Sequence, residues 1–162
     1  MEALNYAREL ERCRNFGDIF DLVRRSVDDT MSLHRSGLML VLAELPAHVG
    51  AFHVVGSNAI VVNRRFLRVA VGSGSMTKMN SYVYAILLHE YLHSLGYLDE
   101  RQVRELVVRV ATEVMGEDHP ATEISVRGYL PQSLHGQQLE QSSAEDPELI
   151  RDFDRSNQSY IA

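Results

Sequence analysis

The sequence of 162 residues contains a single cysteine, Cys13, and no tryptophan. One cysteine excludes an intrachain disulfide bond and a zinc cluster built from several cysteines of this chain. An excess of positive charge is also missing, because 16 lysine and arginine residues face 22 aspartate and glutamate residues. The resulting net charge of −6 argues against nucleic-acid binding, which needs a basic surface to contact phosphates.

Long apolar segments are absent as well. The longest apolar stretch, residues 82–88, is far shorter than the roughly 20 residues that a membrane-spanning helix requires. Residues 1–15 interleave charged and apolar side chains, and they contain no apolar region of the length found in signal peptides. We therefore expect a cytoplasmic protein that does not bind membranes.

The remaining composition is that of an ordinary globular protein, with 45% apolar and 23% charged residues. The length suits one hydrophobic core, and we predict a single domain formed by residues 1–136. The sequence then becomes rich in glutamine and serine, which predicts a polar, weakly ordered tail at residues 137–162. Within this tail, residues 147–154 are predicted to form one short helix.

The hydrophobic pattern predicts an α+β fold. Helical periodicity predicts four helices, at residues 2–12, 18–33, 80–95 and 100–115. Short β-rich runs at residues 51–55 and 59–63 flank a Gly-Ser-Asn turn, which predicts a β-hairpin. Part of the apolar run at residues 38–45 is predicted to be a strand, and residues 66–71 are expected to continue the sheet.

The helix predicted at residues 80–95 has apolar side chains around nearly its whole circumference, which indicates burial on most sides. It nevertheless carries His89, Glu90 and His93. Residues four apart lie one turn above each other on one helix face, so both imidazoles can bind one Zn²⁺ ion. Glu90 lies about 100° further round the helix. It can therefore act as general base on a zinc-bound water without being a ligand.

A plainer interpretation is that both histidines are hydrogen-bonded core residues and that Glu90 lies at a hydrated edge. A lone histidine would favour that interpretation, but two histidines at i and i+4 beside a glutamate are typical of a metallopeptidase. The pattern predicts a zinc-dependent hydrolase that cleaves peptide bonds of a peptide or protein substrate. Two other hypotheses are a non-catalytic zinc-binding structural or protein-interaction domain, and a metal-free module that binds a partner in its cleft.

The extended signature of metzincin peptidases, HExxHxxGxxH/D, is similar to the sequence HEYLHSLGYLD at residues 89–99. This resemblance implies a zincin-like fold, in which a small mixed β-sheet packs on the buried active-site helix with flanking helices. It also implies that Gly96 permits a sharp turn and that Asp99 is the third zinc ligand, as in snapalysin-type members. In zincins, an edge strand typically aligns an extended substrate.

Other residues compete with Asp99 for the place of third ligand. Asp99 also suits the N-cap of the helix that follows it, which is a purely structural role. A compact gluzincin-like protein is the second resemblance, and there a glutamate on the next helix is the third ligand. Glu100 fits that position because it lies on the inner side of the helix, close to the turn. Glu113 lies near the far end of the same helix, and His119 lies in a predicted loop.

Overall fold

The structure, a computed structural model, describes residues 3–71, 75–128 and 147–155. In these ranges the chain forms six helices: α1 (Ala3–Arg12), α2 (Phe16–Met31), α3 (Arg64–Val71), α4 (Met76–Ser94), α5 (Glu100–Met115) and α6 (Pro120–Arg127). It also forms four strands, namely β1 (Met39–Ala43), β2 (Ala51–His53), β3 (Ala59–Asn63) and β4 (Glu148–Ile150). The predicted α+β class is confirmed.

The four strands form one mixed sheet in the order β2-β3-β1-β4. Strands β1 and β3 are parallel, whereas β2 pairs antiparallel with β3 and β4 pairs antiparallel with β1. Because successive side chains of a strand point to opposite faces, the buried hydrophobic residues of a strand alternate along it. On β1 and β3 these residues are Leu40, Leu42, Ile60 and Val62, and they belong to the same hydrophobic core as the helices.

Helix α4 is the centre of the fold. Every residue from 80 to 92 is buried, and the helix packs against α1, α2, α3, α5, α6 and β2. Ser75 begins the helix, since its hydroxyl oxygen accepts a hydrogen bond from the backbone N–H of Lys78 at 3.2 Å. The expected burial of this helix on most sides is confirmed. None of the helices in the described ranges has the length and hydropathy of a membrane span.

A tight turn separates α4 from α5. Gly96 adopts a φ of 108°, in the left-handed region that glycine tolerates best. Its N–H donates to the carbonyl of His93 at 3.0 Å, and the N–H of Tyr97 donates to the carbonyl of Leu92 at 3.4 Å. This pair of bonds is the Schellman arrangement that commonly ends a helix. Helix α5 then begins at Glu100 and returns along α4.

Two segments between the predicted elements differ from the sequence-based expectation. Residues 66–71 lie in helix α3 and do not continue the sheet, because a short apolar run fits a buried strand and a buried helix equally well. Helix α6 was not predicted at all. It begins with Pro120 at its first position and His119 as its N-cap, and proline at that position is a recognised signal for a helix start.

The C-terminal described segment, residues 147–155, packs on the rest of the fold and contains strand β4 where a short helix was predicted. The ring of Phe153 stacks on that of Phe20, with 4.1 Å between the centroids. The carboxylate of Asp154 accepts hydrogen bonds from the backbone N–H groups of Gly37 and Leu38 at 2.8 and 3.0 Å. Residues 137–146 and 156–162 of the predicted tail lie outside the described residues, and for them the prediction stays untested.

Truncation of Phe153 tests this docked segment. Its side chain is only 3% exposed, and removal of a buried phenylalanine side chain costs about 3–5 kcal/mol. Phe153→Ala should therefore lower the free energy of unfolding, measured by urea denaturation, by an amount in that range. Leu149→Ala is the control in the same segment, because Leu149 is 58% exposed and should lose less than about 1 kcal/mol. Equal and small losses would contradict docking of this segment.

Candidate metal centre

Three side chains converge beside the turn between α4 and α5. Nε2 of His89 lies 2.6 Å from Oε1 of Glu100, and Nε2 of His93 lies 2.9 Å from Oε2 of the same carboxylate. The two imidazole rings are 5.0 Å apart between centroids. Within the described ranges, no other group of three or more histidine, cysteine, aspartate or glutamate side chains brings its possible ligand atoms within 4.8 Å of one another.

Local structure positions each member of this group. His89 and His93 are four residues apart on α4, which places them on one face of the helix. The left-handed conformation at Gly96 reverses the chain, so the first residue of α5, Glu100, comes to lie beside the imidazoles. Nδ1 of His93 donates a hydrogen bond to the carbonyl oxygen of Tyr97 at 2.7 Å, and the turn thereby also orients this ring.

The hydrogen bond to Tyr97 has a consequence for the other nitrogen of His93. A carbonyl oxygen can only accept, so Nδ1 carries the hydrogen, and Nε2 of the neutral ring presents a lone pair. This lone pair faces a carboxylate oxygen of Glu100 at 2.9 Å. Two lone pairs at that distance repel each other unless a proton or a metal cation lies between them. A carbonyl that fixes the ligating tautomer is also the usual surrounding of a metal-binding histidine.

The charge states of the group suit a cation. Burial lowers the pKa of His89 to about 4, and the nearby carboxylate of Glu100 only partly opposes this effect. The imidazole is therefore neutral at neutral pH, which is the form that binds metals. Burial raises the pKa of Glu100, but its contacts with His89 and His93 outweigh burial, and the net shift is downward. Glu100 is thus a carboxylate, the form in which it can be a ligand.

The structure groups Glu100, and not the predicted Asp99, with the two imidazoles. The carboxylate of Asp99 accepts a hydrogen bond from the backbone N–H of Arg101 at 3.1 Å and is the N-cap of α5. This capping bond directs the Asp99 side chain to the helix end, while Glu100 points across to α4. The two remaining candidates do not join the group either. Glu113 is exposed on α5, and His119 caps α6.

Glu90, the predicted general base, is 1% exposed and lines the same cleft as the three converging side chains. The cleft has a volume of about 1050 Å³. Its walls are formed by the loop that precedes β2, by β2 itself, and by parts of α4, α5 and α6. The grouped side chains therefore face a space that can hold much more than a metal ion.

The cleft walls are rich in apolar side chains. Four of the eight large hydrophobic residues that are exposed in the described ranges line this cleft, with exposed fractions between 38% and 71%. These four are Phe52, Val55, Leu98 and Val126. Exposed apolar side chains that cluster around a concave site indicate a binding surface. Sequence periodicity did not reveal this cluster, because its members come from three separate parts of the chain.

Strand β2 presents a free edge in the cleft, since β3 is its only partner among the described strands. The backbone N–H of Val54 donates a hydrogen bond to the carbonyl oxygen of Ala59 at 3.4 Å, and the N–H of Asn63 donates to the carbonyl oxygen of Gly50 at 2.8 Å. In an antiparallel ladder the hydrogen-bonded residues alternate with residues whose N–H and C=O groups point to the other side. Ala51 and His53 therefore direct their backbone groups away from β3.

Comparisons of the chain with models of protein families, with curated proteins and with solved structures found no significant match. The chemistry of the site must therefore be judged from its own donor atoms. Two imidazoles and one carboxylate form a ligand set of catalytic zinc sites, which keep a fourth position for water or substrate. Structural zinc sites instead surround the ion with four protein ligands.

Zinc binding by two variants tests the third ligand. Glu100→Gln removes the candidate anionic ligand, and zinc affinity should fall by more than the roughly 10–100-fold lost when only a hydrogen-bond partner of a ligand is removed. Asp99→Asn keeps a capping side chain and the ligand set, so its zinc affinity should stay within about twofold of the wild type. Competition with a chromophoric chelator measures the zinc affinity of each variant. The reverse ranking would make Asp99 the ligand.

Helix α6, which carries part of the cleft wall, depends on the protonation state of His119. Nδ1 of His119 accepts a hydrogen bond from the backbone N–H of Ala121 at 3.0 Å, and a proton on Nδ1 would break this cap. Burial lowers the pKa of His119, while Glu11 and Glu123 exert smaller opposite effects. A lowered pKa in the folded state means that this stabilisation is complete above the unfolded pKa of about 6.5 and is lost as the pH falls below it.

His119→Asn separates the cap from its titration, because the amide oxygen of asparagine accepts the same hydrogen bond without a pKa in this range. The free energy of unfolding of zinc-free protein should fall between about pH 7.5 and about pH 5.5 in the wild type, and should fall less in the variant. Urea denaturation at both pH values measures the difference. An equal fall in both proteins would show that His119 does not contribute.

Proposed function

We propose that this protein is a zincin-like, zinc-dependent peptidase. His89, His93 and Glu100 bind the Zn²⁺ ion in this proposal, and Glu90 is the general base. The observation that carries it is the convergence of two imidazoles and one carboxylate on the wall of a large cleft. The glutamate on α5 favours the gluzincin-like ligand arrangement over the metzincin-like one with Asp99.

The donor set supports a catalytic rather than a purely structural ion. A metal ion that only joins α4 to α5 needs no cleft, and it would normally be enclosed by four protein ligands. In the described residues three protein ligands are grouped, and the cleft lies beside them. A coordination position left to solvent or substrate is the feature that separates a catalytic zinc site from a structural one.

Glu90 is suited to move protons in this cleft. Zinc, when bound, supplies the Lewis acidity that lowers the pKa of water towards 7 and polarises the scissile carbonyl group. Glu90 lies on α4 between the two proposed histidine ligands, and it is one of the residues that line the cleft. It accepts the proton of the attacking water and returns it to the amine that leaves. Its near-complete burial strengthens these electrostatic interactions relative to water.

The cleft favours an extended polypeptide as substrate. Its volume of about 1050 Å³ lies just above the range of roughly 300–1,000 Å³ found for small-molecule pockets. The backbone groups of Ala51 and His53 can pair with the main chain of a peptide added beside β2. The exposed apolar side chains of the walls can contact apolar side chains of that peptide. We therefore expect cleavage of unstructured segments with apolar residues near the scissile bond.

Glu90→Gln tests the general base. The variant keeps all three proposed ligands, so it should bind zinc like the wild type but cleave an internally quenched apolar peptide roughly 10²–10⁴ times more slowly. Glu113→Gln is the matched control, because the same chemical change is made on an exposed part of α5 away from the ligand group. Full activity of Glu90→Gln would refute the assigned mechanism.

Zinc removal distinguishes peptidase function from a structural role of the ion. For the proposed enzyme, a chelator should abolish cleavage and readdition of zinc should restore it, while the circular dichroism spectrum stays that of a folded protein. A non-catalytic zinc domain would instead unfold on chelation and would cleave no peptide even with stoichiometric zinc bound.

A further inference from the structure

Arg35 joins two walls of the cleft, although it lies in the connection between α2 and β1. Its Nη1 donates a hydrogen bond to the carbonyl of Ser94 at 2.6 Å, and its Nη2 donates to the carbonyl of Ser57 at 2.9 Å. Ser94 is the last residue of α4, one position after His93. Ser57 lies in the turn between β2 and β3. One guanidinium group thus connects the metal-binding end of α4 to the hairpin that contains the edge strand.

The backbone of Arg35 is itself held on α4. Its N–H donates to the hydroxyl oxygen of Tyr91 at 2.9 Å, and this hydroxyl lies 3.4 Å from the carbonyl oxygen of Arg35, to which it donates. Tyr91 is fully buried beside Glu90, and its ring makes an edge contact with Phe20 at 5.5 Å between centroids. The Arg35 side chain therefore extends from a backbone position that is hydrogen-bonded to α4, the helix that carries His89 and His93.

The chemistry of arginine suits this bridge. The last carbonyl groups of a helix have no partner within the helix and carry partial negative charge. A planar guanidinium can donate to such a carbonyl and to a second carbonyl at the same time, whereas a lysine ammonium is a single point of charge. The carbonyl of Ser57 also accepts a hydrogen bond from Nε2 of His53 at 3.0 Å. Through this shared acceptor, the bridge also fixes a side chain of β2 that lines the cleft.

We propose that Arg35 is a positioning residue that sets the separation between the free edge of β2 and the metal-binding end of α4. The three proposed ligands lie on α4 and α5 and none lies on the hairpin. Loss of Arg35 should therefore loosen one wall of the cleft and leave the metal site intact. Its effect on catalysis rests on the proposed peptidase function, and it should appear in substrate binding more than in turnover.

Hydrogen exchange of the full chain tests the bridge without any assay of activity. Arg35→Met removes both side-chain hydrogen bonds and keeps an apolar stem. Backbone amides of residues 51–59 should then exchange roughly 10-fold faster or more, while those of α4 and α5 keep their wild-type rates. Zinc affinity should stay within about twofold of the wild type. Arg101→Met is the matched control, because this exposed side chain on α5 pairs with Glu105 and makes no bond to the hairpin.

Kinetics supply the second readout. Arg35→Met should raise KM for the quenched peptide roughly 10-fold, equivalent to about 1.4 kcal/mol of binding, and should change kcat less, because a loosened β2 weakens binding of the ground state and of the transition state alike. Arg35→Lys should lie between the wild type and Arg35→Met, since it keeps one of the two bonds, and it takes the place of the methionine variant if that variant does not fold.

Three outcomes are decisive. Wild-type exchange of the hairpin in both Arg35 variants would overturn the proposal. Faster exchange throughout the protein, together with weaker zinc binding, would also overturn it, because Arg35 would then support the whole fold. Faster exchange confined to the hairpin, in a protein whose wild type cleaves no peptide, would support the bridge and refute the peptidase function.

Discussion

The contact of one carboxylate with two imidazoles, Glu100 with His89 and His93, is the interaction on which the rest of the site depends. Burial of polar groups in an apolar helix is costly unless they find partners, and His89 and Glu90 lie in the most buried helix of the fold. Five helices and strand β2 pack around this helix and shield most of its length from solvent. The cleft exposes only the face where the polar groups meet. The packing around α4 thus places His89, His93 and Glu100 close enough together to hold one ion. It also places them on the wall of the cleft.

Hydrophobic periodicity and turn residues predicted those parts of the fold that depend on one continuous segment of the chain. Helices α4 and α5, the turn at Gly96 and the hairpin follow from periodicity and turn chemistry, and so does the position of His89 and His93 on one helix face. The choice between Asp99 and Glu100 did not follow. Both are carboxylates next to the same turn, and either could cap α5 or approach the imidazoles. The capping bond to Arg101 holds the Asp99 side chain at the helix end, whereas the approach of Glu100 to the imidazoles depends on how α5 packs against α4.

Contacts between distant parts of the chain were beyond sequence reasoning. Asp154 meets Gly37 across 117 residues, and Arg35 meets Ser94 across 59 residues. Neither contact belongs to a periodic pattern, because a single side chain makes each of them. The polar composition after residue 136 therefore suggested weak order, although residues 147–155 pack on the fold through the β4–β1 pairing, Phe153 and Asp154. Helix α3 was missed for a different reason, since six apolar-rich residues carry too little periodicity to separate helix from strand.

The two edge strands of the sheet, β2 and β4, lie in different surroundings. Strand β4 covers the outer side of β1, and it is only three residues long, with Pro147 before it and Arg151 after it. Short strands, proline and charge are features by which natural sheets resist edge-to-edge aggregation. Strand β2 is equally short but lies in the wall of the cleft. These features disfavour pairing with another strand at the β4 edge, whereas another strand would have to enter the cleft to reach the β2 edge.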